Sequence, residues 1–178
     1  LNEKQLDAVR SALKHSISLI SGGAGSGKSY TISVINTICE ESDLEVVLAA
    51  PTGKAAKRLE EVSGRSGTTI HRLLGYDGKG FSRSKENPID ADVLVVDEFS
   101  MVDVPLAWHL FEAVDLLRTT VLLVGDHNQL PPVGPGNILR DLIQTRAIPT
   151  VILDKVVRQA GVLKENCTAV LKGEVRKT

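Results

Sequence analysis

Apolar positions along this chain follow two rhythms. Leu6, Val9 and Leu13 recur at helical spacing through a polar stretch, so residues 3–15 read as an amphipathic helix. From residue 17 onward, short runs that are apolar throughout alternate with helical stretches. "ISLIS" precedes a helix from Lys28 to about Glu41, and "EVVLAA" precedes one from Gly53 to about Val62. "DVLVVD" precedes a helix over about Val104 to Leu117, and "TVLLVGD" one over about Asn137 to Gln144; "PTVILD" follows. Runs without polar alternation suit strands buried on both faces. Strand and helix in regular succession predict an α/β fold, a parallel sheet flanked by helices on both faces.

One segment breaks the rhythm. "GYDGKGFSRSKENPID", residues 75–90, is polar and rich in Gly and Ser, and reads as a surface excursion with a hairpin turning at "DGKG". The last stretch reads as a further helix to about Lys172, stopped at Gly173. No internal repeat or low-complexity tract interrupts the pattern.

Composition adds little until charge is mapped. Hydrophobic residues make up 42% and charged residues 24%, ordinary for a globular protein. No apolar run approaches the roughly 18 residues of a membrane helix. The polar, amphipathic start predicts no secretory leader. The first residue is Leu rather than Met, which suggests a piece of a longer protein. Cys39 and Cys167 show neither paired nor metal-type spacing, so a reduced, cytoplasmic setting is expected. Net charge is only −1, yet residues 53–85 hold eight basic and three acidic side chains, while from 86 to 126 Arg118 is the sole Lys or Arg. The basic stretch is either a solvated face or a surface for a polyanion, and the acidic one could hold a cation.

Three strand ends carry chemistry. "SGGAGSGKS" places Gly22, four residues, Gly27, Lys28 and Ser29 in the P-loop spacing, at a strand-to-helix junction. Glycine backbone turns several N–H groups around one anion, and the following helix adds its positive end. Lys28 would reach β- and γ-phosphates, and Ser29 would offer its hydroxyl to Mg²⁺. Gly23, Ala24, Gly25, Ser26 and Tyr30 complete the expected ATP-binding stretch. "DVLVVDE" ends a second strand in Asp97, a metal holder, and Glu98, which can position or deprotonate the attacking water. "GDHNQLPPVGPG" follows a third strand with Asp126 and Gln129; the glutamine amide could sense a γ-phosphate, or the segment could be only a polar loop shaped by its prolines.

Taken in order, "LNEKQLDAV", "SGGAGSGKS", "LAAPTGKAAKRL", "TTIHRLLGY", "LVVDEFSMVD", "VGDHNQLPPVGPG" and "LDKVVRQA" resemble the first RecA-like motor domain of a superfamily 1 DNA helicase, of the RecD/TraA group. The resemblance covers almost the whole chain. It implies ATP and Mg²⁺ as cofactors, single-stranded DNA as partner, and catalytic roles for Lys28, Asp97, Glu98, Gln129 and Arg158. Gln5 resembles the glutamine that reads adenine, although Asn2 and Gln5 also fit a capping box. Pro51, Thr52, Gly53 and Lys54 resemble one strand-contact loop, and Thr69 and His71 a second. Arg158 resembles an arginine that reaches the γ-phosphate. By this resemblance residues 1–159 form the RecA-like domain, and 160–178 lead toward a second one. Other helicase-nuclease subunits are further implied partners, and a membrane is not.

Three departures stand out. Ala24 replaces a frequent proline, Ser29 a frequent threonine, and Phe99 a frequent alanine, putting bulk beside the carboxylates. Trp108 and Phe111 could stack on bases but share a helical pattern with Leu106, Leu110, Val114 and Leu117, so core packing is expected. The remaining alternative is a non-motor ATP switch or assembly subunit with little DNA affinity. A switch GTPase is disfavoured, because no Asn-Lys-x-Asp sequence is present. A kinase is disfavoured too, because no acceptor pocket or lid is readable.

Overall fold

The structure is a computed structural model and describes residues 1–154. The expected Arg158 contact and the helix toward Lys172 lie outside the described residues. The elements are α1 (Glu3–Lys14), β1 (Ile17–Gly22), α2 (Lys28–Glu41), β2 (Val46–Ala50), α3 (Gly53–Ser63), β3 (Gly67–Thr69), α4 (Ile70–Leu73), β4 (Val93–Val96), a 3-10 turn (Phe99–Met101), α5 (Val104–Glu112), β5 (Thr120–Gly125), α6 (Ile138–Thr145) and β6 (Thr150–Leu153).

Six strands form one sheet in the order β3-β2-β4-β5-β1-β6, and every pairing is parallel. The apolar runs divide between its faces residue by residue. Val93, Val95, Leu122 and Val124 join a core with Val9 of α1, Ile32 and Ile35 of α2 and Leu59 of α3. Leu94, Val96, Val121 and Leu123 join a second core with Ile70 of α4, Leu110 of α5 and Leu139 of α6. This two-sided burial is why the strands show no polar alternation. Cys39 is fully buried in the first core.

The surface excursion forms as a hairpin. Tyr76 and Phe81 bridge antiparallel, and the Asp77 carboxylate accepts from the N–H groups of Lys79 (2.8 Å) and Gly80 (2.9 Å). Rings of His71, Tyr76, Phe81 and His109 pack in series and pin the hairpin to α4 and α5.

Three expectations fail. The helix from Val104 stops at Glu112 rather than reaching Leu117. The Asp115 carboxylate accepts from Leu117 N at 3.0 Å and its carbonyl from Arg118 and Thr119, so a local turn outcompetes the helix. Leu117 is 97% exposed as a result, whereas Trp108, expected in the core, lies within the formed helix on its exposed face, at 62%. Leu110 is buried and Phe111 packs against the core, as expected. Phe99 does not crowd the carboxylates: it is fully buried, edge-on to Phe111 with ring centroids 6.5 Å apart.

Candidate functional site: a phosphate cradle beside a surface groove

The strand order brings three chemically loaded strand ends side by side. β4, β5 and β1 are neighbours, so the segments after Val96, Gly125 and Gly22 meet at the C-terminal edge of the sheet. They enclose a cavity of about 110 Å³ lined by residues 23–29 and by Arg58, Asp97, Glu98, Asp126 and Gln129.

Gly25 (φ 75°) and Gly27 (φ 94°) take left-handed backbone that other residues resist, and Gly27 caps α2. Gly22 has a different task. A Cβ there would lie 2.6 Å from both the Leu153 carbonyl and Ser26 Oγ, so the first signature glycine lets β6 and the loop close on the strand. Lys28 Nζ donates to the Gly22 and Gly23 carbonyls at 2.5 and 3.1 Å, which holds the ammonium over the loop. Tyr30 is 53% exposed on the first turn of α2 and does not line the cavity.

Asp97 leaves β4 and its carboxylate accepts from Glu98 N at 2.8 Å. Burial pushes its pKa up; the Glu98 hydrogen bond, Lys28 and Arg58 pull the other way. Glu98 sits at φ 52°, ψ 37°, a left-handed conformation costing a non-glycine residue about 1 kcal/mol. That bend carries Phe99 into the core while Asp97 and Glu98 stay at the cavity wall. Backbone strain held beside two carboxylates is a mark of functional sites.

Gln129 is positioned from both ends. Its Oε1 accepts from Ser100 Oγ at 3.1 Å, and its Nε2 donates to Glu98 Oε2 at 3.4 Å. Nothing local in the sequence singles out Ser100. Nearby, buried Ser21 Oγ bonds His127 Nδ1 at 2.8 Å and accepts from His127 N, tying the β5 loop to β1. Gln129 also lines a second, larger cavity of about 640 Å³ that includes Pro51, Thr52, His71, Met101 and Leu130. The structure thus brings residues from both expected strand-contact loops into one groove. Thr52 and Thr69 each cap a helix, accepting from Ala55 N and Arg72 N at 3.2 Å, so their hydroxyls also have structural work. Gly53 and Lys54 are exposed at the start of α3.

Gln5 forms the capping box with Asn2, both bonds at 2.9 Å, yet it is 3% exposed and its Nε2 has no partner among the described residues. The capping role is therefore present and still leaves one buried donor. It lies outside the phosphate cavity.

A family profile described as an AAA domain matches residues 5–135. This chain belongs to that AAA domain family. Its curated relatives place it with the RecD-type superfamily 1 helicases. The ATP-dependent RecD2 DNA helicase of Deinococcus radiodurans is 46% identical over 161 residues, 90% of this chain and 22% of the relative. The RecBCD enzyme subunit RecD of Mycolicibacterium smegmatis is 36% identical over 80% of this chain and 30% of its own length. The chain thus spans about a quarter of the curated relatives it matches. Among solved structures, the Pif1 helicase of Candida albicans aligns over 99% of this chain and 45% of its own, with a TM-score of 0.70 and 23% identity. Bacteroides sp Pif1 in complex with ADP-AlF4 aligns with a TM-score of 0.61 at 24% identity. These likenesses support the RecA-like fold that the sequence resemblance implies. Among the described residues, no helix is long and apolar enough to cross a membrane.

Proposed function

We propose that this chain is the ATP-binding and hydrolysing half of a DNA helicase motor that translocates on single-stranded DNA, with 5′ to 3′ polarity by family resemblance. Residues 1–159 form the RecA-like domain, and 160–178 lead to a second RecA-like domain of the same protein; further helicase-nuclease subunits are candidate partners. The observation that carries this reading is that Gln129 belongs to two cavities, the phosphate cradle and the groove holding Pro51, Thr52 and His71.

The residues divide the work. Backbone N–H groups of the loop from Gly23 to Lys28 face the phosphates, aided by the N-terminus of α2. Lys28 exchanges the Gly22 and Gly23 carbonyls for phosphate oxygens. Glu98 orients the attacking water and takes its proton. Gln129 bonds a γ-phosphate oxygen and reports its loss to the groove. Gln5 turns its spare Nε2 toward the adenine, and Arg158 reaches the γ-phosphate from the cleft edge.

Ser29 and Asp97 suit Mg²⁺. Both line the cavity with hard oxygen donors, and no cluster of three or more His, Cys, Asp or Glu competes among the described residues. Mg²⁺ keeps few protein ligands and fills its shell with phosphate oxygens and water. Held by Ser29 and Asp97, it would supply positive charge that offsets the charge of the nucleotide's phosphates.

Pro51, Thr52 and His71 line the groove, and Lys54 and Thr69 lie on the same two segments; all five would contact phosphate and sugar rather than base edges, so no sequence preference is expected. The test is ATP turnover by the full-length protein with and without single-stranded DNA, beside Lys28→Ala. Strong stimulation lost in the variant supports the motor. Turnover indifferent to DNA overturns it in favour of an ATP switch or assembly subunit.

A further inference from the structure

Arg58 enters the sequence only as one of eight basic residues in a charged stretch. Tertiary structure gives it a distinct position. It lines the phosphate cavity with Lys28, Asp97 and Glu98, although it stands on α3, two strands away from the P-loop strand's own neighbour. It is exposed and makes no ion pair or side-chain hydrogen bond among the described residues.

The helix that carries it is held firmly. Thr52 caps its start, and Ala56 and Leu59 bury its inner face. Just past its end, Arg65 pairs with Glu40 of α2, its Nε donating at 2.7 Å. Gly67 of β3 lies so close to the Ala56 carbonyl that no side chain fits there. A guanidinium on so fixed a helix is not a drifting surface charge.

Charge in the cavity calls for it. The lining holds three carboxylates, Asp97, Glu98 and Asp126, against two cations, Lys28 and Arg58. A triphosphate entering that cavity adds several negative charges. Lys28 is a point charge already engaged with loop carbonyls. Arg58 makes no ion pair or side-chain hydrogen bond among the described residues, and its planar fork matches two phosphate oxygens at once.

We propose that Arg58 binds the terminal phosphate of the nucleotide, and that it makes α3 the rigid link between that phosphate and the DNA groove. Arg58 and Lys54 lie four residues apart on one stripe of α3, about 6 Å along its axis. Loss or gain of the terminal phosphate therefore acts on the helix that also carries Thr52 and Lys54. This rests on the ATPase reading of the site.

The experiment compares binding of a non-hydrolysable ATP analogue and of ADP by the full-length protein, with Arg58→Ala, Arg58→Lys and Lys28→Ala. Arg58→Ala is expected to weaken the ATP analogue about tenfold or more, the size of one charge-assisted hydrogen bond, while ADP affinity stays nearly unchanged. Arg58→Lys should fall between, because it restores charge without the fork. An unaltered thermal midpoint is expected for both, since Arg58 is exposed and makes no hydrogen bond or ion pair among the described residues. An Arg58→Ala protein that keeps the full preference for the ATP analogue, or that loses both nucleotides equally, overturns the proposal. Binding that is absent in the unsubstituted protein, or indifferent to Lys28→Ala, overturns the ATPase reading beneath it.

Discussion

Glu98 and Asp97 share a cavity wall but answer to different physics. In the proposed mechanism Glu98 acts through water, so Glu98→Gln should cut ATP turnover by about 100-fold or more while nucleotide affinity persists. Steady-state turnover and a binding titration separate the two. Asp97 illustrates the stability given up for a buried carboxylate, the one proposed to hold Mg²⁺. Burial raises its pKa in the fold, so the folded chain holds that proton more tightly than the unfolded chain does. Its favourable contribution is complete below an ordinary aspartate value of about 4 and is lost as pH rises through the raised one. Asp97→Asn, with chelator present, should therefore raise the melting temperature at neutral pH. The gain should fade as pH falls toward 4. Scanning calorimetry across that range checks the sign. Both carboxylates were legible in sequence, because a strand ending in Asp-Glu behind a P-loop is a chemical pattern. Ser100 and Arg58 were not, because nothing local distinguishes a serine in a turn or an arginine in a basic helix until the chain is folded around them.

At the scale of elements, five strands and five helices could be read, because each shows a helical period or a short apolar run. β3 and α4 escaped notice. β3 is three half-buried residues, "GTT", at the sheet edge, and α4 is a single turn, too short for any period to register. The end of α5 was misread because the apolar pattern continues through Leu117, while the decision to stop is made by the backbone bonds of Asp115. Trp108→Ala should accordingly change stability by no more than about 0.5 kcal/mol, as for an ordinary surface site. Two glycines give a sharper contrast. Gly22→Ala would press a methyl against the Leu153 carbonyl and Ser26 Oγ, and should cost about 1–3 kcal/mol. Gly53→Ala meets open space at the first residue of α3, and should stabilise by about 0.4–1 kcal/mol. Urea denaturation of the two variants against the unsubstituted protein measures both.

For the molecule as a whole, the fold places the cavity proposed for ATP and the groove proposed for DNA on either side of one polar side chain. Sequence could name the motifs on both sides but not their adjacency, which follows from β4, β5 and β1 lying next to one another. Gln129, braced by Ser100 and Glu98, is the physical contact between the two cavities. Coupling between the sites is then a free-energy difference carried by groups that both ligands touch. The most direct measurement is the affinity of the full-length protein for a single-stranded oligonucleotide, taken once with a non-hydrolysable ATP analogue and once with ADP, in unsubstituted protein and in Gln129→Ala. The account predicts affinities that differ between the two nucleotide states by about fivefold or more in the unsubstituted protein, and that converge in the variant. Equal affinities in the unsubstituted protein, or a difference that survives Gln129→Ala intact, would contradict it.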